Sequence, residues 1–139
     1  LPFIYALIFD KQNRIKLLIL IPLIIFLSDQ SGLLLKKYFL RSRPWASLEI
    51  DTINHLVAPK GRNYSFPSNH AANISGLALI FSSIYKQYKN IFWIIAITVM
   101  FSRIYIGVHF PSDIMMGLFI GSFYGFVLIK IWSGINKNN

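Results

Sequence analysis

The chain contains no cysteine among its 139 residues. That excludes disulfides, thiolate nucleophiles and cysteine-ligated metal, and says nothing of redox compartment. Acidic residues are almost as scarce: five Asp and Glu stand against 14 Lys and Arg, for a formal net charge of +9. A basic excess often marks a nucleic-acid binder, but such proteins are polar overall. Here 55% of the chain is hydrophobic, so nucleic acid is not the expected partner. What remains is an integral membrane protein whose cations sit at its surfaces or in a site for anions. There is no internal repeat and no low-complexity tract, and the length fits one domain over residues 1–139.

Four long apolar segments are present, at 16–40, 68–87, 91–107 and 112–133. A membrane helix takes roughly 17–25 residues, and each segment is about that length. Residues 1–9, "LPFIYALIF", are apolar but too few to span. They read as the end of a spanning helix whose beginning is absent, or as a short interfacial segment. The expected fold is an all-α, polytopic transmembrane helical bundle with about five spans visible.

The connections alternate in character. "DKQNRIK" and "YKQYKN" are short and basic, 41–67 is long, and "HFP" is very short. Alternation puts 10–16, 86–90 and the C-terminus on one side, and 41–67 and 108–111 on the other. Each side carries seven cations; setting aside Lys36, Arg43 and Arg103, which fall in the motifs below, leaves seven against four. The positive-inside tendency then makes the short basic loops cytoplasmic and the 41–67 loop extracytoplasmic. Trp93 and Trp132 fall at the inner interface and Trp45 at the outer one.

Three polar patches meet on that outer side. In "KKYFLRSRP", Lys36 and Arg43 are seven residues apart, two helical turns, and so are expected to share a face. Pro44 is expected to end the segment. In "FPSNHA", Ser68 reads as a helix cap, and the free N–H groups of the first turn, where His70 lies, suit an oxyanion. In "SRIYIGVHFPSD", Gly107 reads as a breaker and Pro111 as the first turn of the next helix. Asp113 falls in that turn, where the helix dipole favours a carboxylate. His109 stands four residues earlier, within reach of it, so the carboxylate can fix the tautomer and leave the other nitrogen free to act.

Taken singly, each patch reads as an ordinary interfacial turn with a cap and a snorkelling cation. Together they bring three cations, two helix N-termini, two histidines and a carboxylate to one membrane face. Cations and helix N-termini favour a phosphate-like anion. Two histidines suit a phosphoryl transfer with a nucleophile and a separate proton donor. His70, His109 and Asp113 as three metal ligands is the competing chemistry. It is disfavoured because three nearby cations would repel a divalent ion and one carboxylate would offset them poorly.

The three patches resemble the signature motifs of the type-2 phosphatidic acid phosphatase superfamily, membrane lipid phosphatases related to vanadium haloperoxidases. The first motif, Lys, six residues, Arg-Pro, is "KKYFLRSRP" from Lys36. The second, Pro-Ser-Gly-His, is "PSNH". The third, Ser-Arg, five residues, His, three residues, Asp, is "SRIYIGVHFPSD". The resemblance implies that His109 is the nucleophile and forms a phosphohistidine, that Asp113 orients it, and that His70 protonates the leaving group. It implies that Lys36, Arg43 and Arg103 bind phosphate oxygens with Ser68 and the backbone at Asn69, and that no metal or other cofactor is needed. It also implies six spans in the membrane-bound branch, so a missing N-terminal part is expected.

Position 69 is Asn where the family usually has Gly, which adds bulk and hydrogen-bonding groups beside the pocket. Asp29 lies seven residues before Lys36 inside a span. It reads as a polar contact between helices or a distant counter-charge for the lysine. His55, Lys60 and Arg62 read as loop residues.

The resulting expectation is a lipid phosphatase of a bacterial-type inner membrane with its site facing the periplasm or outside. Its substrate is a lipid phosphate monoester or pyrophosphate, such as lipid A 1-phosphate, undecaprenyl pyrophosphate or a phosphatidate-type lipid. Its partners are that lipid and the bilayer, with no obligate protein partner. A non-hydrolytic lipid-phosphate binder or flippase would use the same cations without needing His109 paired with Asp113. Haloperoxidase chemistry with bound vanadate fits poorly with membrane spans and a compact chain.

Overall fold

A computed structural model describes residues 10–48 and 64–135. Residues 1–9, the loop positions His55, Lys60 and Arg62, and the last four residues lie outside the described part. The described residues are helical: α1 is Arg14–Phe39, α2 the short Pro44–Ser47, α3 Asn69–Ile84, α4 Lys89–Tyr105 and α5 Pro111–Ile135. A 3-10 turn, Lys86–Tyr88, joins α3 to α4. An isolated antiparallel bridge pairs Ser42 with Tyr64.

The segments expected from hydropathy match α1, α3, α4 and α5 to within a few residues. Two of them, α1 with 26 residues and α5 with 25, are long and apolar enough to cross a membrane by length and composition, with mean hydropathies of 2.0 and 1.9. At 1.5 Å per residue they span about 37–39 Å. The other two, α3 with 16 residues and α4 with 17, span about 24–26 Å.

Helix α3 is central and packs on α5, α4 and α1. One core cluster joins Leu17, Leu20, Ile21 and Ile24 of α1 to Ile80 and Leu128. A second joins Ala71 and Ala78 to Ala96, Met100 and Ile114. The outer faces are equally apolar: Leu34 is 68% exposed, Met115 71%, Phe119 64% and Ile94 63%. Meanwhile Ser28, Ser68, Ser75 and Asp113 are fully buried. Burying polar groups while displaying large apolar ones suits a lipid solvent, where packing rather than hydrophobic exclusion joins helices.

Small residues set the α3–α5 distance. Gly117, Gly121 and Gly125 recur every four residues along one face of α5. A Cβ added at Gly121 would lie 1.9 Å from the Ala72 carbonyl oxygen, and one at Gly117 2.4 Å from that of Ser68. The two backbones therefore touch where each helix begins.

The two ends of the bundle differ. At one, Asp10 accepts hydrogen bonds from the Asn13 N–H at 3.0 Å and the Tyr85 hydroxyl at 2.7 Å. This pins the entry of α1 to the exit of α3, in keeping with the alternation that puts 10–16 and 86–90 on one side. All three motifs lie at the other end.

Candidate active site

Local chemistry shapes each motif. Ser68 caps α3, accepting from the Ala71 N–H at 3.4 Å. Helix α4 stops at Tyr105, and Gly107 takes a positive φ of 73° that other residues rarely adopt. Pro111 opens α5 with Asp113 in its first turn. These three features agree with the sequence reading.

The first motif does not. Lys36 and Arg43 share no helix face, because α1 ends at Phe39 and Leu40 turns into the left-handed region at φ 47°. Pro44 ends nothing; it starts α2, with Arg43 as its N-cap. Arg43 reaches the site from a turn, which the seven-residue spacing misrepresented as helical register.

Hydrogen bonds join every pair of motifs. Lys36 Nζ donates to the Pro67 carbonyl and, at 2.7 Å, to Asn69 Oδ1, tying the first motif to the second. Arg43 donates to the Val108 carbonyl at 3.0 Å, tying the first to the third. The Ser68 N–H donates to the Asp113 carbonyl at 3.0 Å, tying the second to the third. That last bond uses the Ser68 N–H, so the amides of the α3 first turn, which have no partner within the helix, begin at Asn69.

His109 is 5% exposed and Asp113 fully buried. Nδ1 of His109 faces Asp113 Oδ2 at 3.4 Å. The carboxylate only accepts, so Nδ1 carries the proton and Nε2 keeps its lone pair. The distance exceeds the usual 2.7–3.2 Å range. The Phe110 N–H holds the same Oδ2 at 2.9 Å. Burial pushes the His109 pKa below its usual value, although the Asp113 hydrogen bond pulls the other way. The imidazole is therefore neutral at pH 7.

His70 is exposed, in the first turn of α3. The charges of Arg103 and Arg43 are close enough to act on it. The Arg103 side chain bonds only Ser102 Oγ, at 3.2 Å, among the described residues. Its carbonyl accepts from the N–H groups of Val108 and His109. Lys36, Arg43, His70, His109 and Asp113 thus converge; Arg103 joins them through its backbone and its charge.

Two residues escaped the sequence reading. Arg41 pairs with Asp113 Oδ1 at 2.9 Å, bonds Ser112 Oγ at 2.7 Å and stacks over the Phe110 ring at 4.2 Å. Ser65, buried, bonds the carbonyls of Arg41 and Ser42 and receives no signal from local sequence. Asp29 does make the polar interhelical contact expected of it: Asn69 and Asn73 donate to it at 2.9 and 3.1 Å. Asn69 lies in regular helix with its side chain turned toward Asp29 and Lys36. Among the described residues, no group of three or more His, Cys, Asp or Glu is placed to hold a metal ion.

Comparison with known proteins gives a consistent answer. The family model described as PAP2 superfamily matches residues 14–137. A lipid A 4'-phosphatase of Porphyromonas gingivalis is 33% identical over 136 residues, covering 94% of this chain and 58% of that protein. The chain thus spans little more than half of that relative's length. The crystal structure of Aquifex aeolicus LpxE superposes with a TM-score of 0.78 at 32% identity, over 93% of this chain and 74% of that one. A transmembrane PAP2-type phosphatidylglycerolphosphate phosphatase from Bacillus subtilis shares the fold, with a TM-score of 0.67 at 24% identity over 96% of this chain and 67% of that one. The chain belongs to the PAP2 superfamily.

Proposed function

We propose that the protein is an integral-membrane lipid phosphatase that cleaves the phosphate monoester of a lipid A-type glycolipid through a phosphohistidine. The observation that carries this reading is the His109–Asp113 pair seated where the three motifs bond to one another. A mere lipid-phosphate binder would need the cations and not a neutral imidazole held by a buried carboxylate.

The chemistry runs in two steps. Nε2 of His109 attacks phosphorus, and the bond from phosphorus to the lipid oxygen breaks while His70 supplies that oxygen with a proton. Water then attacks the phosphohistidine, His70 takes its proton, and inorganic phosphate leaves. Lys36, Arg43 and Arg103 stabilise the phosphate oxygens, joined by Ser68 and the amide of Asn69. Lysine has three donors; two of Lys36's are engaged, leaving one for substrate. No metal takes part.

The likeness to a lipid A 4'-phosphatase favours lipid A over undecaprenyl pyrophosphate. An apolar groove of about 300 Å³ between α1 and α5, lined by Leu34, Leu35, Phe119 and Phe123, suits a lipid chain. In this reading the helices form a polytopic bundle in the inner membrane, with the site on the periplasmic side. The test is phosphate release by the detergent-purified protein over a panel of lipid A 1- and 4'-phosphates, undecaprenyl pyrophosphate and phosphatidates, with and without EDTA. Release from lipid A phosphates, undiminished by EDTA, is expected. Release confined to undecaprenyl pyrophosphate would reject the substrate, and activity lost to EDTA and restored by zinc would reject the metal-free mechanism.

A further inference from the structure

The side chain of Asn69 stands where the family motif has none. Its Oδ1 accepts from Lys36 Nζ at 2.7 Å, and its Nδ2 donates to Asp29 Oδ1 at 2.9 Å. An ammonium only donates and a carboxylate only accepts, so just one orientation of the amide satisfies both. Asn73, one turn along α3, donates to the same Asp29 oxygen at 3.1 Å. The opposite helix leaves room for this: a Cβ at Gly32 would lie 2.2 Å from Asn69 Oδ1 and 2.8 Å from its Cγ.

We infer that Asn69 is a positioning residue that, locked by Asp29 and admitted by Gly32, aims the Lys36 ammonium at the substrate phosphate. The carboxamide carries the influence of Asp29 to Lys36 without a direct ion pair that would draw the lysine away from the site. Arg43 and Asp113 are the other charges acting on Lys36. They belong to the cup itself, so Asn69 and Asp29 are the supports that approach from α3 and α1.

The inference rests on Lys36 binding phosphate, as proposed above, and the test separates the two. KM and kcat for a lipid phosphomonoester, inhibition by orthovanadate, and detergent melting temperature are measured for Asn69→Gly, Gly32→Ala, the double variant and Lys36→Ala. Asn69→Gly should raise KM and the vanadate inhibition constant roughly tenfold, the worth of one charged hydrogen bond, with kcat and melting little changed. Gly32→Ala should do likewise by displacing the carboxamide, and the double variant should be no worse than Asn69→Gly alone. Wild-type KM and vanadate inhibition in Asn69→Gly, or penalties that add in the double variant, would overturn the inference. Should Gly32→Ala fail to fold, Asn69→Gly decides alone. Unchanged KM and vanadate inhibition in Lys36→Ala would instead remove the phosphate clamp on which the inference stands.

Discussion

Arg41 and Asp113, 72 positions apart, form an ion pair at 2.9 Å in which the carboxylate is fully buried and the guanidinium 38% exposed. The pair occupies Oδ1 and leaves Oδ2 to the Phe110 amide and His109. Asp113 therefore cannot swing away from the imidazole without breaking a bond on its other side. Arg41 is the outer brace of the His109–Asp113 pair.

Arg41→Gln should accordingly lower kcat more than it raises KM, by roughly tenfold or ~1.4 kcal/mol. Arg41→Lys should recover only part of the loss, since a lysine keeps the charge but not the planar fork or the stacking on Phe110. Steady-state phosphate release on both variants checks this.

Helix contact predicts a stability pattern. Gly121→Ala puts a Cβ onto the Ala72 backbone and must spread α3 from α5, costing ~1–3 kcal/mol. Because that spreading strains the Ser68–Asp113 link, activity should fall with it. Gly134→Ala meets nothing within 4 Å and should be neutral or slightly stabilising. Thermal unfolding in detergent compares the two.

The pH dependence has a definite sign. Burial holds the His109 pKa below its ordinary 6.5, so the imidazole should stay neutral and, if it is the proposed nucleophile, kcat/KM should hold as pH drops below about 6.5. For stability, the unfolded chain takes up this proton at about 6.5 while the native chain resists it until lower pH. His109 therefore stabilises the fold above pH 6.5 and loses that contribution as pH falls toward its depressed native value. Asp113→Asn, which removes the carboxylate beside His109, should shift the acid limb of the kcat/KM profile; an unshifted limb would assign it to another group.

What the sequence made legible was local chemistry. The Ser68 cap, the Gly107 turn and Asp113 in the first turn of α5 each depend on a few neighbouring residues, and each stands as read. Arg41 was missed because its partner lies far along the chain, and "RSR" presents two arginines that sequence alone does not rank. Lys36 and Arg43 were rightly grouped for a wrong geometric reason, since nothing short of the structure announces that Leu40 leaves the helix. The Gly117, Gly121 and Gly125 spacing was available as a close-packing signal and would have paired α5 with a small-residue face.

The most direct test of the central claim is phosphate release by purified His109→Ala in detergent, alongside its melting curve. The variant should melt like the wild-type protein and release no phosphate above background from a lipid phosphomonoester. Full release by the folded variant would contradict His109 as the nucleophile.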